Sequence, residues 1–172
     1  MNLKNTIVLG IIAVFGFAVV SHDINIKISS TRPVQVCNKV DTKKTVLDKY
    51  KNAKSLNEEQ LKELLHAVGF EGHALKMAWS IAMAESNGRP SAFNGNRKTG
   101  DSSYGIFQIN MIGELGPERR EKFDLKTNSE LLDPVRNAQI AFHMSDGGSD
   151  WSAWKDGRNQ RVQEFLSEFN AI

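Results

Sequence analysis

Between Leu75 and Ala84 eight of ten residues are apolar, and they do not alternate with polar ones. The run is too long for a typical strand, and a helix carrying it from about His73 to Ser86 is apolar nearly all round. Such a helix belongs at the centre of a domain with other elements packed around it. Asn87-Gly88-Arg89-Pro90 ends it. One helix before it is equally well specified. Asn57 is an N-cap with Gln60 at the capping-box position, and Leu56 and Leu61 are placed for a hydrophobic staple. Leu61, Leu64, Leu65 and Val68 form a stripe, and Gly69 is a stop. Further on, Asp133-Pro134 is a cap with Pro at the first helical position, opening a helix to about Met144. A last helix, about Arg158–Phe169, aligns Val162, Phe165, Leu166 and Phe169 on one face. Residues 91–110 differ, with Gly, Asn and Ser alternating with Phe93, Tyr104, Ile106, Phe107 and Ile109. That pattern predicts a small irregular hairpin. The fold class is therefore mainly α, a helical domain with one small β insertion, and no internal repeat is visible.

The N-terminal third is organised differently. Lys4 is followed by Ile7–Val20, entirely apolar or Gly, and no charge appears between it and Asp23. The layout of 1–22 is that of an export signal or an N-terminal membrane anchor. As a helix the uncharged 18 residues from Asn5 to His22 span about 27 Å, short of the ~20 residues a bilayer needs. The stretch 23–55 is patternless apart from the alternation of Ile24, Ile26 and Ile28, and reads as a basic linker. Residues 21–55 hold eight basic groups against three aspartates, a local +5. With Lys4 included and +2 for the whole chain, Leu56 onward carries −4. A basic stalk suits an anionic surface or simple solvation. An acidic folded part argues against nucleic acid. The folded domain is read as 56–172.

Glu85 stands out because it ends the apolar run. Burial and the negative end of the helix dipole both favour its protonated form, which is what protonation of a leaving glycosidic oxygen requires. A helix-end glutamate turned out to solvent is an equal alternative on this feature alone. The surroundings decide. Ala84-Glu85-Ser86-Asn87-Gly88-Arg89-Pro90-Ser91-Ala92-Phe93-Asn94 resembles the glutamate-serine signature of the soluble lytic transglycosylase and goose-type lysozyme family. Ser103-Tyr104-Gly105-Ile106-Phe107-Gln108-Ile109-Asn110 resembles the second motif of that family, which forms the cleft wall. Asn137 matches the asparagine of a third, weaker motif. The resemblance covers roughly residues 57–157 and is similar to lysozyme-like domains of phage tail and virion proteins. There are two departures: Met144 replaces the tyrosine seven residues after the asparagine, and Trp151-Ser152-Ala153-Trp154 occupies the region of the C-terminal Ala-Tyr motif.

The resemblance implies an α+β lysozyme-like fold and cleavage of the β-1,4 MurNAc-GlcNAc bond of peptidoglycan, with Glu85 as acid. Ser86, Tyr104, Gln108, Asn110, Asn137 and Trp151 are the expected substrate contacts. Gln108 offers a donor and an acceptor for an acetamido group, Tyr104 a stacking face, and Gly105 close backbone approach to the sugar. Trp151 and Trp154, three apart, are more often core than sugar platform. Asp101 is the candidate second carboxylate, or merely a turn residue. Its neighbours Gly100, Ser102 and Ser103 suggest a flexible segment, which favours substrate assistance by the N-acetyl group and a 1,6-anhydro product over inverting hydrolysis. No cofactor and no metal is expected. There is no phosphate loop and no Cys/His zinc spacing, Cys37 is the sole cysteine, and Asp146, Asp150 and Asp156 miss EF-hand spacing. His66, His73 and His143 lack ligand spacing. The expected partners are glycan strands and, through the N-terminus, a membrane. The expected place of action is the bacterial envelope or a virion. A wall-binding module that does not cut, or a tether of a secretion apparatus, are the competing classes.

Overall fold

The apolar run forms α3 (Gly72–Ser86), the central helix, with Leu75, Met77, Ala78, Trp79, Ile81, Ala82 and Ala84 buried. The computed structural model describes residues 39–96, 101–157 and 159–169. All lie in one unit, Cys37–Ile172. The run Ile7–Val20 and the alternating Ile24–Ile28 lie outside the described residues. Among the described residues no helix is long and apolar enough to cross a membrane.

α2 (Glu58–Val68) starts where its capping signals place it. The Asn57 side chain accepts from the Gln60 backbone N–H at 2.8 Å, and the Gln60 side chain accepts from the Asn57 N–H at 2.9 Å. Its stripe Leu61, Leu64 and Leu65 is fully buried. α3 stops at Asn87, which takes the left-handed conformation (φ 54°), while the N–H groups of Asn87 and Gly88 bond Met83 O and Ala82 O. Three two-residue strands follow in antiparallel order: β1 (Phe93–Asn94), β2 (Ser103–Tyr104) and β3 (Ile109–Asn110). Phe93 pairs with Tyr104, Asn94 with Ser103, and Ser103 in turn with Asn110. After α4 (Leu115–Lys122) and a 3₁₀ turn (Asn128–Leu132) comes α5 (Pro134–Met144), capped by the Asp133 side chain on Val135 N–H at 3.0 Å. A 3₁₀ segment (Ser152–Gly157) leads to α6 (Gln160–Glu168). Phe165 and Phe169 of this last arm set their ring edges on Trp79, with centroids 5.9 and 5.4 Å away. The architecture is the expected mainly helical α+β type.

Two helices have no counterpart in the sequence reading. α1 (Lys39–Tyr50) lies in the stretch read as linker, yet Tyr50 is buried and Val46 and Leu47 pack on the core. The Tyr50 hydroxyl donates to the Glu63 carboxylate of α2, and Lys49 Nζ reaches the same carboxylate at 2.8 Å. Only a few apolar residues mark this helix, too few to stand out among its lysines. α4 has no apolar stripe at all.

Candidate active site

A cleft of about 380 Å³ is lined from several elements: Glu85 of α3, Asp101 and Ser103 of the hairpin, and Gln108 and Asn110 at β3. Arg119 of α4, Met144 of α5, Trp154 and the α6 cap Asn159 complete the wall. A larger groove of about 580 Å³ lies elsewhere, between the end of α1 and the start of α5. It is lined by Lys51, Lys54, Arg136 and the carboxylates of Glu130 and Asp133, which accept from the backbone N–H groups of Lys126, Thr127, Val135 and Asn52 and so serve to fasten helix starts.

Glu85 corrects part of its expectation. Its neighbours Ala84 and Ser86 are buried, but Glu85 itself is exposed into the cleft, because the last turn of α3 emerges from the core there. The alternative of a helix-end glutamate facing solvent is thus right about exposure, while the solvent it faces is the cleft.

Asp101 is held more firmly than its neighbours suggest. Asn94 Nδ2 donates to Oδ2 at 2.6 Å and Ser103 Oγ donates to Oδ1 at 2.6 Å. The Asp101 backbone N–H bonds Asn96 O at 3.0 Å, closing the loop between β1 and β2. The register explains the two donors. Asn94 and Ser103 face each other across the ladder and point to the same side of the sheet. The same alternation turns their neighbours the other way. Tyr104 packs against Phe93 at 4.7 Å between centroids and does not line the cleft, so the stacking role expected of it is not supported.

Several expected substrate contacts are instead fasteners of the cleft wall. Asn137 is fully buried. Its Nδ2 donates to Tyr104 O and Leu131 O, and its Oδ1 accepts from Phe107 N–H, each at 2.9 Å. Ser86, buried, directs its hydroxyl to Ile106 O at 2.8 Å and Ala82 O at 3.1 Å. Neither can reach a sugar. Trp151 is core: it stacks on Phe70 at 5.8 Å and donates to Gly148 O. Trp154 lines the cleft in its place, its ring fixed by donation to Phe107 O at 2.8 Å. Gly105 (φ 74°) is buried, and a Cβ there would stand 2.2 Å from Leu131 O and 2.3 Å from Asn137 Nδ2. Its glycine serves this close packing and not the approach of a sugar.

Gln108 and Asn110 do line the cleft, but with part of their hydrogen-bonding capacity committed. Gln108 sits in the left-handed region (φ 46°), where a side chain is strained. Its Nε2 donates to Gly105 O at 2.9 Å and Ala92 O at 3.2 Å, which holds that conformation and leaves the amide oxygen for a ligand. Asn110 Oδ1 accepts from Ile112 N–H, and its backbone O accepts from Arg119 Nη1. Arg119 had no sequence signal, since no motif contains it and its helix is unpatterned. Burial pulls its guanidinium below the ordinary arginine value, with Glu118 opposing. Among the described residues no His/Cys/Asp/Glu cluster suited to a metal occurs.

The family described as "Lysozyme like domain" matches residues 62–156. Lysozyme C, milk isozyme, of Equus caballus is 31% identical over 110 residues, covering 59% of this chain and 85% of that protein. The milk isozyme of Canis lupus familiaris is 40% identical over 120 residues with the same coverage, and lysozyme C of Equus asinus is 30% identical over 110. No solved structure matches.

Proposed function

This chain belongs to the lysozyme-like domain family, and from that premise we propose that it hydrolyses the β-1,4 bond between MurNAc and GlcNAc of peptidoglycan. The observation that carries the reading is the pair Glu85 and Asp101 on one cleft, with Asp101 fixed by Asn94 and Ser103. Glu85 gives its proton to the bridging oxygen as the C1–O bond breaks. A water adds to C1 and passes its proton to Asp101. One water is consumed and the anomeric centre inverts. A base must hold water in a narrow range of positions, and two short hydrogen bonds give Asp101 that constancy. Each of its oxygens already accepts a bond, which suits a base with lone pairs left over better than a nucleophile. The 1,6-anhydro route drew its appeal from a loosely held Asp101. The two hydrogen bonds on Asp101 support hydrolysis over that route. The uncharged Asn5–His22 run fits delivery across a membrane, so the wall outside the cytoplasm is the proposed place of action.

The test is mass spectrometry of fragments released from purified peptidoglycan in ¹⁸O-water. Each new reducing end should carry one ¹⁸O, and early NMR spectra should show the inverted anomer. The Glu85→Gln variant should lose about 10²–10⁴-fold in rate. Fragments lighter by one water would overturn hydrolysis in favour of the anhydro route. Wall binding without any release would make the chain a non-cutting binder.

A further inference from the structure

A side pocket of about 300 Å³ adjoins the cleft, lined by Glu118, Arg119, Lys122, Phe123, His143 and Met144. Arg119 and Met144 line both spaces, so the pocket lies next to the cleft with these two side chains between them. Among the described residues the cleft sets the carboxylate of Asp101 and the acid Glu85 against Arg119, whereas the side pocket sets Arg119 and Lys122 against Glu118, with His143 beside them. Arg119 and Lys122 are three apart on α4 and share a face. Neither cation has a carboxylate within ion-pair distance among the described residues. Arg119 is half-buried and aimed by donation to Asn110 O, and Lys122 Nζ lies 5.4 Å over the Phe123 ring. His143 stands edge-on to that ring, 5.4 Å between centroids.

Building on the proposed function, we propose that this pocket receives the peptide stem of the substrate, with Arg119 and Lys122 holding its carboxylates. Whatever enters must do so while a glycan fills the cleft, which favours a substituent carried by the glycan itself. In peptidoglycan that substituent is the lactyl-linked peptide, which is rich in carboxylates. A guanidinium and an ammonium suit such groups as a planar fork and a point charge. The Asp101 carboxylate on the cleft repels the same groups. The combination fixes which way a strand lies: stem towards α4, bond to be cut between the two carboxylates. The pocket makes the domain selective for stem-bearing wall over bare amino-sugar polymer.

The test compares kcat/KM on glycan strands that keep their stems with the same strands stripped of peptide by an amidase. The ratio between the two substrates should fall about tenfold for Arg119→Gln and about threefold for Lys122→Gln, with Arg119→Lys restoring most of it. Raising the salt concentration should narrow the wild-type ratio, because such pairs are screened. Damage to the fold lowers both rates together and leaves the ratio alone, so unchanged ratios in both variants would overturn the proposal. A second measurement is independent of turnover: titration of a soluble MurNAc-peptide into the Glu85→Gln protein with and without Arg119→Gln. Equal affinities would also overturn it. A wild-type protein that cleaves neither strand, but loses MurNAc-peptide affinity on Arg119→Gln, would sink the hydrolase reading and leave the pocket standing.

Discussion

Glu85 and Asp101 reach the same cleft by different means. Glu85 rides the last turn of a buried helix, where the backbone is fixed by the core. Asp101 sits on a two-residue-strand hairpin that has little rigidity of its own and is held by Asn94 and Ser103. Removing both donors (Asn94→Ala with Ser103→Ala) should therefore lower kcat by about tenfold to a hundredfold, since a displacement near 1 Å is worth that much. KM should change little. Steady-state kinetics on soluble glycan fragments checks this, and a wild-type kcat would mean Asp101 does not hold the attacking water. Asn137 behaves in the opposite way. It satisfies Phe107 N–H, Tyr104 O and Leu131 O inside the protein. Asn137→Ala strands them and should cost at least ~2 kcal/mol of unfolding free energy, read from denaturant midpoints. A stability loss near zero would show that other groups or water replace it. The motifs made Glu85, Gln108 and Asn110 legible as cleft residues, and the stretch between the motifs did so for Asp101. They did not separate these from Ser86 and Asn137, because a motif records that a residue is needed and not whether it faces the ligand or fastens the wall. Tyr104 and Trp151 were misplaced for a related reason: strand alternation and core stacking decide ring direction, and both depend on partners distant in the chain.

Elements with their own start and stop chemistry were readable, and those held by tertiary contacts were not. α2 carries a capping box, α3 a nearly continuous apolar run and α5 an Asp-Pro start, and each forms where these signals place it. α1 and α4 lack such marks. α1 is fastened to α2 through Glu63, which accepts from Lys49 and Tyr50. The Lys49 hydrogen bond first, and the Tyr50 one second, hold the Glu63 carboxyl below its ordinary value. Such a glutamate binds fewer protons folded than unfolded between the two values. Its contribution is therefore complete above the ordinary glutamate range and lost as pH falls through the depressed value. The difference in Tm between wild type and Glu63→Gln should be present at about pH 7 and smaller at about pH 3. Thermal scans at both pH values measure it, and an equal difference at the two would show that the Glu63 charge plays no part in docking α1. Burial raises Tyr50 above its ordinary range, so its hydroxyl remains a donor throughout this window.

At the scale of the whole molecule, the boundary of the working unit is the point where sequence and structure diverge most. Charge and the lack of periodicity put the start of the domain near Leu56, yet the compact unit begins at Cys37 and Tyr50 is part of its core. Two truncations distinguish these boundaries. A chain starting at residue 38 keeps α1 and should unfold in one cooperative transition, as a domain of its size does. It should also cleave purified wall at close to the full-length rate, because Glu85 and every other cleft residue lie well beyond that start. A chain starting at residue 55 loses Tyr50, Val46 and Leu47 from the core and uncovers the faces of α2 and α5 beneath them. Replacing one buried aromatic by Ala typically costs ~3–5 kcal/mol, a large share of the ~5–15 kcal/mol that holds a domain together. The shorter chain should melt well below the longer one, with lowered activity that follows its folded fraction. Equal melting temperatures would return α1 to the linker. Loss of cleavage by the longer chain, with its fold intact, would place a working part in the first 37 residues and favour a tether in a larger apparatus over a self-contained wall hydrolase.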